Sequence, residues 1–237
     1  MQTNEYTLSS VSFFCPAYND AGNLPDLIPV VYDFLKRHAG QFEIIIIHDG
    51  GRDKTGEVAD ELATKFPNTR VIHHKKNMGY TATLKEGFEI GQYDYIMYTD
   101  GDNQYDVQDF QPYLSLLEHA DVITGYAIQK AVSPYRKFQS LFHNTFINVL
   151  FRTSYKDINC SMKIFKKDVL SHVHIHSHPY GAFVDAELII KAQRLGYHIE
   201  QFPVTHYERK NGVASGTKPK LIFYTIRDMI KLYFNLL

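Results

Sequence analysis

Short apolar runs alternating with amphipathic stretches organise the first half of the chain. Val11 to Cys15, Glu43 to Ile47, Arg70 to His73 and Tyr95 to Tyr98 are apolar or β-branched, and each is followed by a polar turn, which predicts four strands. Between them, Leu24, Leu27, Ile28, Val31, Phe34 and Leu35 repeat at intervals of three and four, as do Val58, Leu62 and Phe66, and then Leu84, Phe88 and Ile90. That period predicts three helices with one apolar face each. Strands alternating with helices imply right-handed βαβ units and a mostly parallel, twisted sheet over roughly residues 1–125. Ile44-Ile45-Ile46-Ile47 is apolar without alternation, as a central strand covered on both faces should be.

After Tyr126 the pattern changes. Ser133 to Arg152 reads as a helix opened by Ser133-Pro134, with Phe138, Leu141, Phe142, Phe146, Val149 and Leu150 on a broad apolar face. Ile158 to Phe165 predicts a strand, Val184 to Leu195 a helix stopped by Gly196, and His198 to Val204 another strand. A last helix runs from about Lys218 to Asn235. It carries Leu221, Ile222, Phe223, Ile226, Met229, Ile230, Leu232 and Phe234 among Lys218, Lys220, Arg227 and Lys231. Such a helix can lie on an anionic membrane surface, or it can pack against its own domain or another subunit.

Composition narrows the class. The 237 residues are 44% hydrophobic, enough for one large domain with its own core, and the net charge of -1 gives no global reason to bind nucleic acid. Cys15 and Cys160 stand far apart in apolar contexts, which predicts reduced, buried thiols of a cytosolic compartment. The N-terminus lacks a basic stretch followed by an apolar one, so no secretory signal is read there. The apolar stretch from Phe138 to Phe151 falls short of the ~20 residues that cross a bilayer. His172, His174, His176 and His178 alternate in what reads as an exposed loop without Cys or carboxylate partners, a poor frame for zinc.

The chemistry gathers at the strand ends. Tyr98-Thr99-Asp100-Gly101-Asp102-Asn103-Gln104 places two carboxylates one residue apart where a buried strand stops, so hard oxygen ligands reach the edge at which open α/β sheets bind their ligands. Cys15-Pro16-Ala17-Tyr18-Asn19-Asp20 ends the first strand with an aromatic beside a carboxylate. His48-Asp49-Gly50-Gly51-Arg52-Asp53 ends the second, with Asp53 placed to cap the next helix. Asn77-Met78-Gly79-Tyr80 opens the third helix, whose first N–H groups can face a phosphate.

In order and spacing these four motifs resemble the family-two glycosyltransferases, most closely dolichol-phosphate mannose synthase and the bacterial polyprenyl-phosphate glycosyltransferases. Asp157 to Lys163 looks like the family's sugar-pocket segment, and Phe183-Val184-Asp185-Ala186-Glu187 like its acceptor-side carboxylate motif. His206-Tyr207-Glu208-Arg209, with Gly212 and Ser215-Gly216, looks like the loop leading into a C-terminal interfacial helix. The resemblance implies an α/β GT-A fold, with a catalytic domain over 1–216 that includes the amphipathic helix near 133–152, and an interfacial helix over 217–237.

It also implies roles. Asp100, Asp102 and Gln104 would hold Mg²⁺ or Mn²⁺ against the diphosphate of a nucleotide sugar. Pro16, Ala17, Tyr18, Asp20, Asp49, Asn77, Gly79, Asp100 and Gly101 would bind that donor. Arg136, Ser140 and Arg209 would grip an acceptor phosphate, with Asp102, Asp185 and Arg209 at the reaction centre and Glu187 as the second acceptor-side carboxylate. The implied activity is inverting transfer of a hexose from a UDP- or GDP-linked sugar to a polyprenyl or dolichyl phosphate, peripherally at the cytoplasmic face of a membrane. A homo-oligomer or a separate membrane subunit fits the same reading.

Two departures stand out. His48 occupies a position that is usually acidic, and the chain stops at Leu237 where relatives often continue into membrane helices, so it is either naturally peripheral or shorn of its membrane part. Two other readings remain open: a glycosyltransferase acting on a saccharide or protein hydroxyl, for which Asp185 or Glu187 would serve as base, and a catalytically silent binding protein on the same scaffold.

Overall fold

The computed structural model describes residues 7–130, 134–211 and 219–236, with backbone alone at 129–130 and 134–136. Seven strands form one sheet: β1 (Leu8–Ala17), β2 (Ala39–His48), β3 (Thr69–His73), β4 (Tyr95–Tyr98), β5 (Val122–Lys130), β6 (Lys163–Lys166) and β7 (Ile199–His206). Their order across the sheet is β3-β2-β1-β4-β6-β5-β7. β1 is parallel to both β2 and β4, β2 is parallel to β3 and β5 to β7, whereas β6 runs antiparallel between β4 and β5. The sheet is therefore mixed but mostly parallel.

Strand parity divides the core into two layers. Val11, Phe13, Cys15, Ile44, Ile46, Met97 and Ile164 point to one face, which is covered by α1 (Leu24–His38), α2 (Thr55–Lys65) and a 3₁₀ segment at Val107–Glu118. Phe14, Ile45, Ile47, Ile96, Tyr98 and Phe165 point to the other, under α3 (Tyr80–Ile90), α4 (Pro134–Phe151), α6 (Val184–Arg194) and α7 (Pro219–Asn235). All four isoleucines of β2 are fully buried, as a strand with two covered faces requires. At roughly 1.5–3 kcal/mol for each large apolar side chain removed from water, such strands anchor the fold.

Two expectations are corrected. The run from Ile158 to Phe165 becomes a strand only at Lys163, because its first part spends its backbone on a turn: Cys160 N–H donates to Asp157 C=O at 3.2 Å and Ile158 N–H to Asn144 Oδ1 at 3.3 Å. The alternating histidines are exposed at His172, His174 and His176 as expected, but they do meet carboxylates, with Asp168 3.6 Å from His172 and Glu187 3.7 Å from His176. His172 ends the short helix α5 (Lys167–His172), Glu187 accepts from His176 N–H and Ser177 N–H, and the His178 ring stacks on Tyr224 at 3.5 Å between centroids.

The terminal helix α7 docks by one face, through Met229 and Leu232, and Asp228 Oδ2 accepts from His178 N–H at 2.6 Å. Its Ile222, Phe223, Ile226, Ile230 and Phe234 stay exposed, as do Phe138, Leu141, Phe142, Phe146 and Val149 on α4. No helix among the described residues is long and apolar enough to cross a membrane.

Candidate active site

The parallel strands β1, β2, β3 and β4 end on one edge, and the first three of their loops are stitched to one another. Asn19, in the left-handed region at φ 59°, turns its Oδ1 to accept Arg52 N–H at 2.8 Å. Asp20 N–H donates to Thr55 Oγ1, and Asp20 Oδ2 accepts Tyr18 N–H at 3.0 Å, which leaves the Tyr18 ring at the lip of the edge. Asp53 accepts from Thr55 N–H and Ala21 N–H, so it caps the start of α2 and ties it to the first loop. Gly50, at φ 60°, passes so close to the third loop that a Cβ would lie 2.5 Å from Lys76 C.

Asp49 serves this stitching. Its buried carboxylate accepts Met78 N–H at 2.6 Å, Gly79 N–H at 3.0 Å and His74 Nδ1 at 2.7 Å. Thr81 N–H donates to Pro179 C=O. The two amides just before α3 are thus committed to Asp49 and that of Thr81, in its first turn, to Pro179, because the third loop folds back onto the second. Asn77 and Gly79 meet Tyr180 as well, whose hydroxyl donates to Asn77 C=O at 3.2 Å.

Beside this platform stand the two aspartates after β4. Gly101 N–H donates to Pro16 C=O at 3.1 Å, and a Cβ on Gly101 would lie 2.6 Å from that oxygen, so glycine lets the loop press against the end of β1 at Pro16 and Ala17. Asp100 accepts from Tyr80 Oη at 3.0 Å. Burial first, and then the negative charges of Asp102 and Asp185, push the Asp100 carboxyl up to about 7. Burial also raises Asp102, against the pull of Arg209.

A strap crosses this site. After β7, Tyr207 N–H donates to Gln104 C=O at 2.8 Å and the Gln104 amide donates back to Tyr207 C=O at 3.1 Å. The Arg209 guanidinium pairs with Asp102 and stands 4.0 Å from Asp20. Lys210 pairs with Asp26 at 3.2 Å, and Asn211 donates to Gly22 C=O at 2.9 Å. Arg209 Nε and Thr99 Oγ1 are buried without a hydrogen-bond partner among the described residues. Buried carboxylates with raised proton affinity, one of them held by an arginine that leaves a donor unused, suit a divalent cation carrying anionic oxygens. No three His, Cys, Asp or Glu side chains among the described residues form a metal cage, so such a cation would draw further ligands from its substrate.

Beneath lies a buried charge pair. Asp185 accepts from Tyr98 Oη and from Lys163 Nζ, the latter at 2.8 Å, and Lys163 also reaches Cys160 C=O. Glu187, the other acceptor-side candidate, is spent elsewhere: it accepts from Ser177 Oγ, the 176–177 amides and Lys191. Burial alone would raise its pKa, but Lys191, Ser177 and His176 hold it below the ordinary range. Ser140 is half-buried on α4, whereas the side chain of Arg136, with Gly212, Ser215 and Gly216, lies outside the described residues. Lys163, Tyr80 and Tyr98 received no individual role from the sequence. Lys163 carried a usable signal, a lone cation inside the apolar run Met162-Lys163-Ile164-Phe165.

Comparison with known proteins matches residues 12–173, more than half of the chain, to the glycosyl transferase family 2 model. The dolichyl-phosphate beta-glucosyltransferase ALG5A of Trichomonas vaginalis is 27% identical over 241 residues, covering 96% of this chain and 72% of that relative. Glycosyltransferase AglD of Haloferax volcanii is 27% identical over 202 residues, covering 82% of this chain but 32% of AglD. Glucosyl-3-phosphoglycerate synthase of Mycobacterium tuberculosis, in complex with phosphoglyceric acid, superposes with a TM-score of 0.74 at 15% identity, covering 94% of this chain and 79% of that one. The same enzyme with Mn²⁺, UDP and glucosyl-3-phosphoglycerate gives 0.67 at 16%, covering 94% and 77%. At these identities the likeness shows the fold, and it is the GT-A fold.

Proposed function

The chain belongs to glycosyl transferase family 2 and is a glycosyltransferase, and from that premise we propose that it transfers a hexose from a nucleotide sugar to a polyprenyl phosphate at a membrane surface. The observation that carries this reading is the pairing of Arg209 with Asp102 beside an Asp100 whose carboxyl is pushed up to about 7. That edge holds more negative charge than it can neutralise alone, and it has an arginine within reach.

Asp100 and Asp102 would hold the cation, with Gln104 keeping the strap in place beside them. A bound Mg²⁺ or Mn²⁺ neutralises charge on the departing nucleoside diphosphate. Tyr18 offers its exposed ring to the base, while Asp49 and Asp53 fix the loops around it. Arg209, released from Asp102, turns its guanidinium to phosphate oxygens. A phosphate oxygen of the acceptor attacks the anomeric carbon as the bond to the diphosphate breaks, the diphosphate leaves with the electron pair, and the centre inverts.

Asp185 supports a phosphate acceptor over a hydroxyl one. Its carboxylate is buried and engaged by Lys163 and Tyr98, which suits a fixed charge and not a general base. A phosphate acceptor, already anionic near neutrality, needs no base, whereas a hydroxyl acceptor does. The relatives named dolichyl-phosphate beta-glucosyltransferase support the same class and favour glucose as the sugar.

The test is a donor screen of UDP-glucose, UDP-GlcNAc, UDP-galactose and GDP-mannose, each with Mn²⁺ and polyprenyl phosphate in detergent or vesicles. Transfer to lipid from one donor is expected, with Asp102→Ala lowering it on the order of a hundredfold or more. Transfer that survives chelation, or glycosylation of a soluble hydroxyl acceptor while lipid phosphate is ignored, would refute it.

A further inference from the structure

We propose that His48, acting through Gly51, is a positioning residue for the donor nucleotide, and that a directed hydrogen-bond chain from Gly51 through His48 and His73 to Asp60 makes donor binding depend on His48 being neutral. The inference rests on the donor occupying the strand-end loops, as proposed above.

Gly51 N–H points at His48 Nε2 at 3.1 Å, His48 Nδ1 faces His73 Nδ1 at 3.2 Å, and His73 Nε2 faces Asp60 Oδ1 at 2.9 Å. One hydrogen assignment satisfies all three contacts. Nε2 of His48 must accept, so its hydrogen sits on Nδ1; that hydrogen is given to His73 Nδ1, and His73 then donates from Nε2 to Asp60. Both rings are neutral in this chain. A proton added to His48 leaves Gly51 N–H facing another donor.

The ring is built into its place. A Cβ on Gly56, in the first turn of α2, would lie 3.0 Å from both Cε1 and Nδ1 of His48, so glycine there leaves room for the imidazole. The groups facing His48 are His73 from β3, Asp60 and Gly56 from α2, and Asp53 and Asp49 from the adjoining loop. Burial, with His73, holds the His48 pKa below its ordinary value against the pull of the three aspartates.

What the chain positions is the loop beneath the donor. A Cβ on Gly51 would lie 2.9 Å from Asn19 Oδ1, the atom that accepts Arg52 N–H, so the place of Gly51 sets the place of the Tyr18–Asp20 loop. An aspartate at 48 would stay ionised, and able to accept, across the neutral range. A histidine accepts only above its pKa, so this chain couples the donor platform to pH.

The experiment measures binding of UDP and of GDP, each with Mn²⁺, to the full chain by calorimetry in steps from about pH 7.5 down to about pH 4.5, well past the ordinary imidazole value because the His48 pKa is itself held below it. Three forms are compared: wild type, His48→Gln, whose amide oxygen can accept without titrating, and His48→Ala. Loss of one structural hydrogen bond corresponds to roughly threefold to tenfold weaker binding. His48→Ala should show that loss at the higher pH, and His48→Gln should not. On acidification the wild type should lose the same factor beyond whatever His48→Gln loses, since the carboxylate contributions are common to both. Parallel pH profiles for wild type and His48→Gln, or wild-type affinity in His48→Ala, would overturn the positioning role alone. Absence of nucleotide binding in every form, wild type included, would overturn the donor reading and this role with it.

Discussion

Asp100 shows how one side chain can oppose stability and serve binding together. Burial and two neighbouring carboxylates hold it at about 7, against an ordinary value near 3.8. Between those values the folded chain keeps a proton that the unfolded chain has released. The contribution of this group therefore declines as pH rises toward 7, and above 7 the folded chain carries the full cost of the buried charge. Asp100→Asn keeps an acceptor for Tyr80 Oη and removes that charge. At pH ~8 and without metal, the variant should melt higher than wild type by a few degrees, since 1 kcal/mol moves Tm by about 2–4 °C at this size. Near pH 5 the gap should close. Mn²⁺ should raise the wild-type Tm at the higher pH and leave the variant unmoved; equal melting of the two metal-free proteins at pH ~8 would contradict the account. The two aspartates were legible in the sequence because a carboxylate pair at a strand end is a local pattern. Arg209 was assigned to phosphate by resemblance, but its grip on Asp102 joins residues far apart along the chain, and no local spacing encodes it. The part Asp49 plays in joining the loops was not legible for the same reason: its partners Met78 and Gly79 arrive from another strand end.

Elements were more legible than contacts. The four early strands and three helices follow from periods of two and 3.6, because each element buries a stripe and the stripe is written in the order of residues. The run from Ile158 failed because turn-forming Asp157 and Asn159 stand beside apolar residues that are buried without being paired. Gly87 illustrates the limit in the other direction. It sits within α3, where alanine would ordinarily be favoured by roughly 1 kcal/mol. Yet a Cβ there would lie 2.3 Å from the Phe14 ring, itself fully buried and packed edge-on against Phe88 and flat against Tyr98. Glycine thus lets α3 close on β1, and Tyr80, on the same helix, reaches Asp100. Gly87→Ala should destabilise the protein by about 1–3 kcal/mol despite the better helix propensity, read as a lower denaturant midpoint. An unchanged or higher midpoint would mean that the helix can back away from the sheet without penalty.

On the scale of the molecule, the two sheet faces are finished differently. One is closed by α1, α2 and the 3₁₀ segment, while the other carries α4 and α7, which meet where the Phe151 and Tyr233 rings approach at 6.3 Å. Both helices turn a second apolar stripe outward, and the largest exposures are Val149 at 75% and Phe234 at 68%. Lys220 and Lys231 stand exposed on α7 beside that stripe, and Lys137 on α4. The pattern could be read from the sequence as amphipathic, but not as doubly apolar, because which stripe docks depends on the shape of the sheet it meets. An apolar stripe edged by lysines suits an anionic lipid surface, and the proposed polyprenyl phosphate acceptor would be met at such a surface. The full chain should therefore co-sediment with vesicles of mixed neutral and anionic phospholipid, less with neutral vesicles, and less again at high salt, each nearby cation contributing about 1 kcal/mol. Phe223→Ser with Phe234→Ser should weaken that binding on the order of tenfold or more, leaving Tm unchanged because neither ring is buried in the fold. If the double variant binds vesicles as wild type does, or instead breaks up a dimer in solution, the outward stripe belongs to a protein contact and the acceptor must reach the site without α7 resting on lipid.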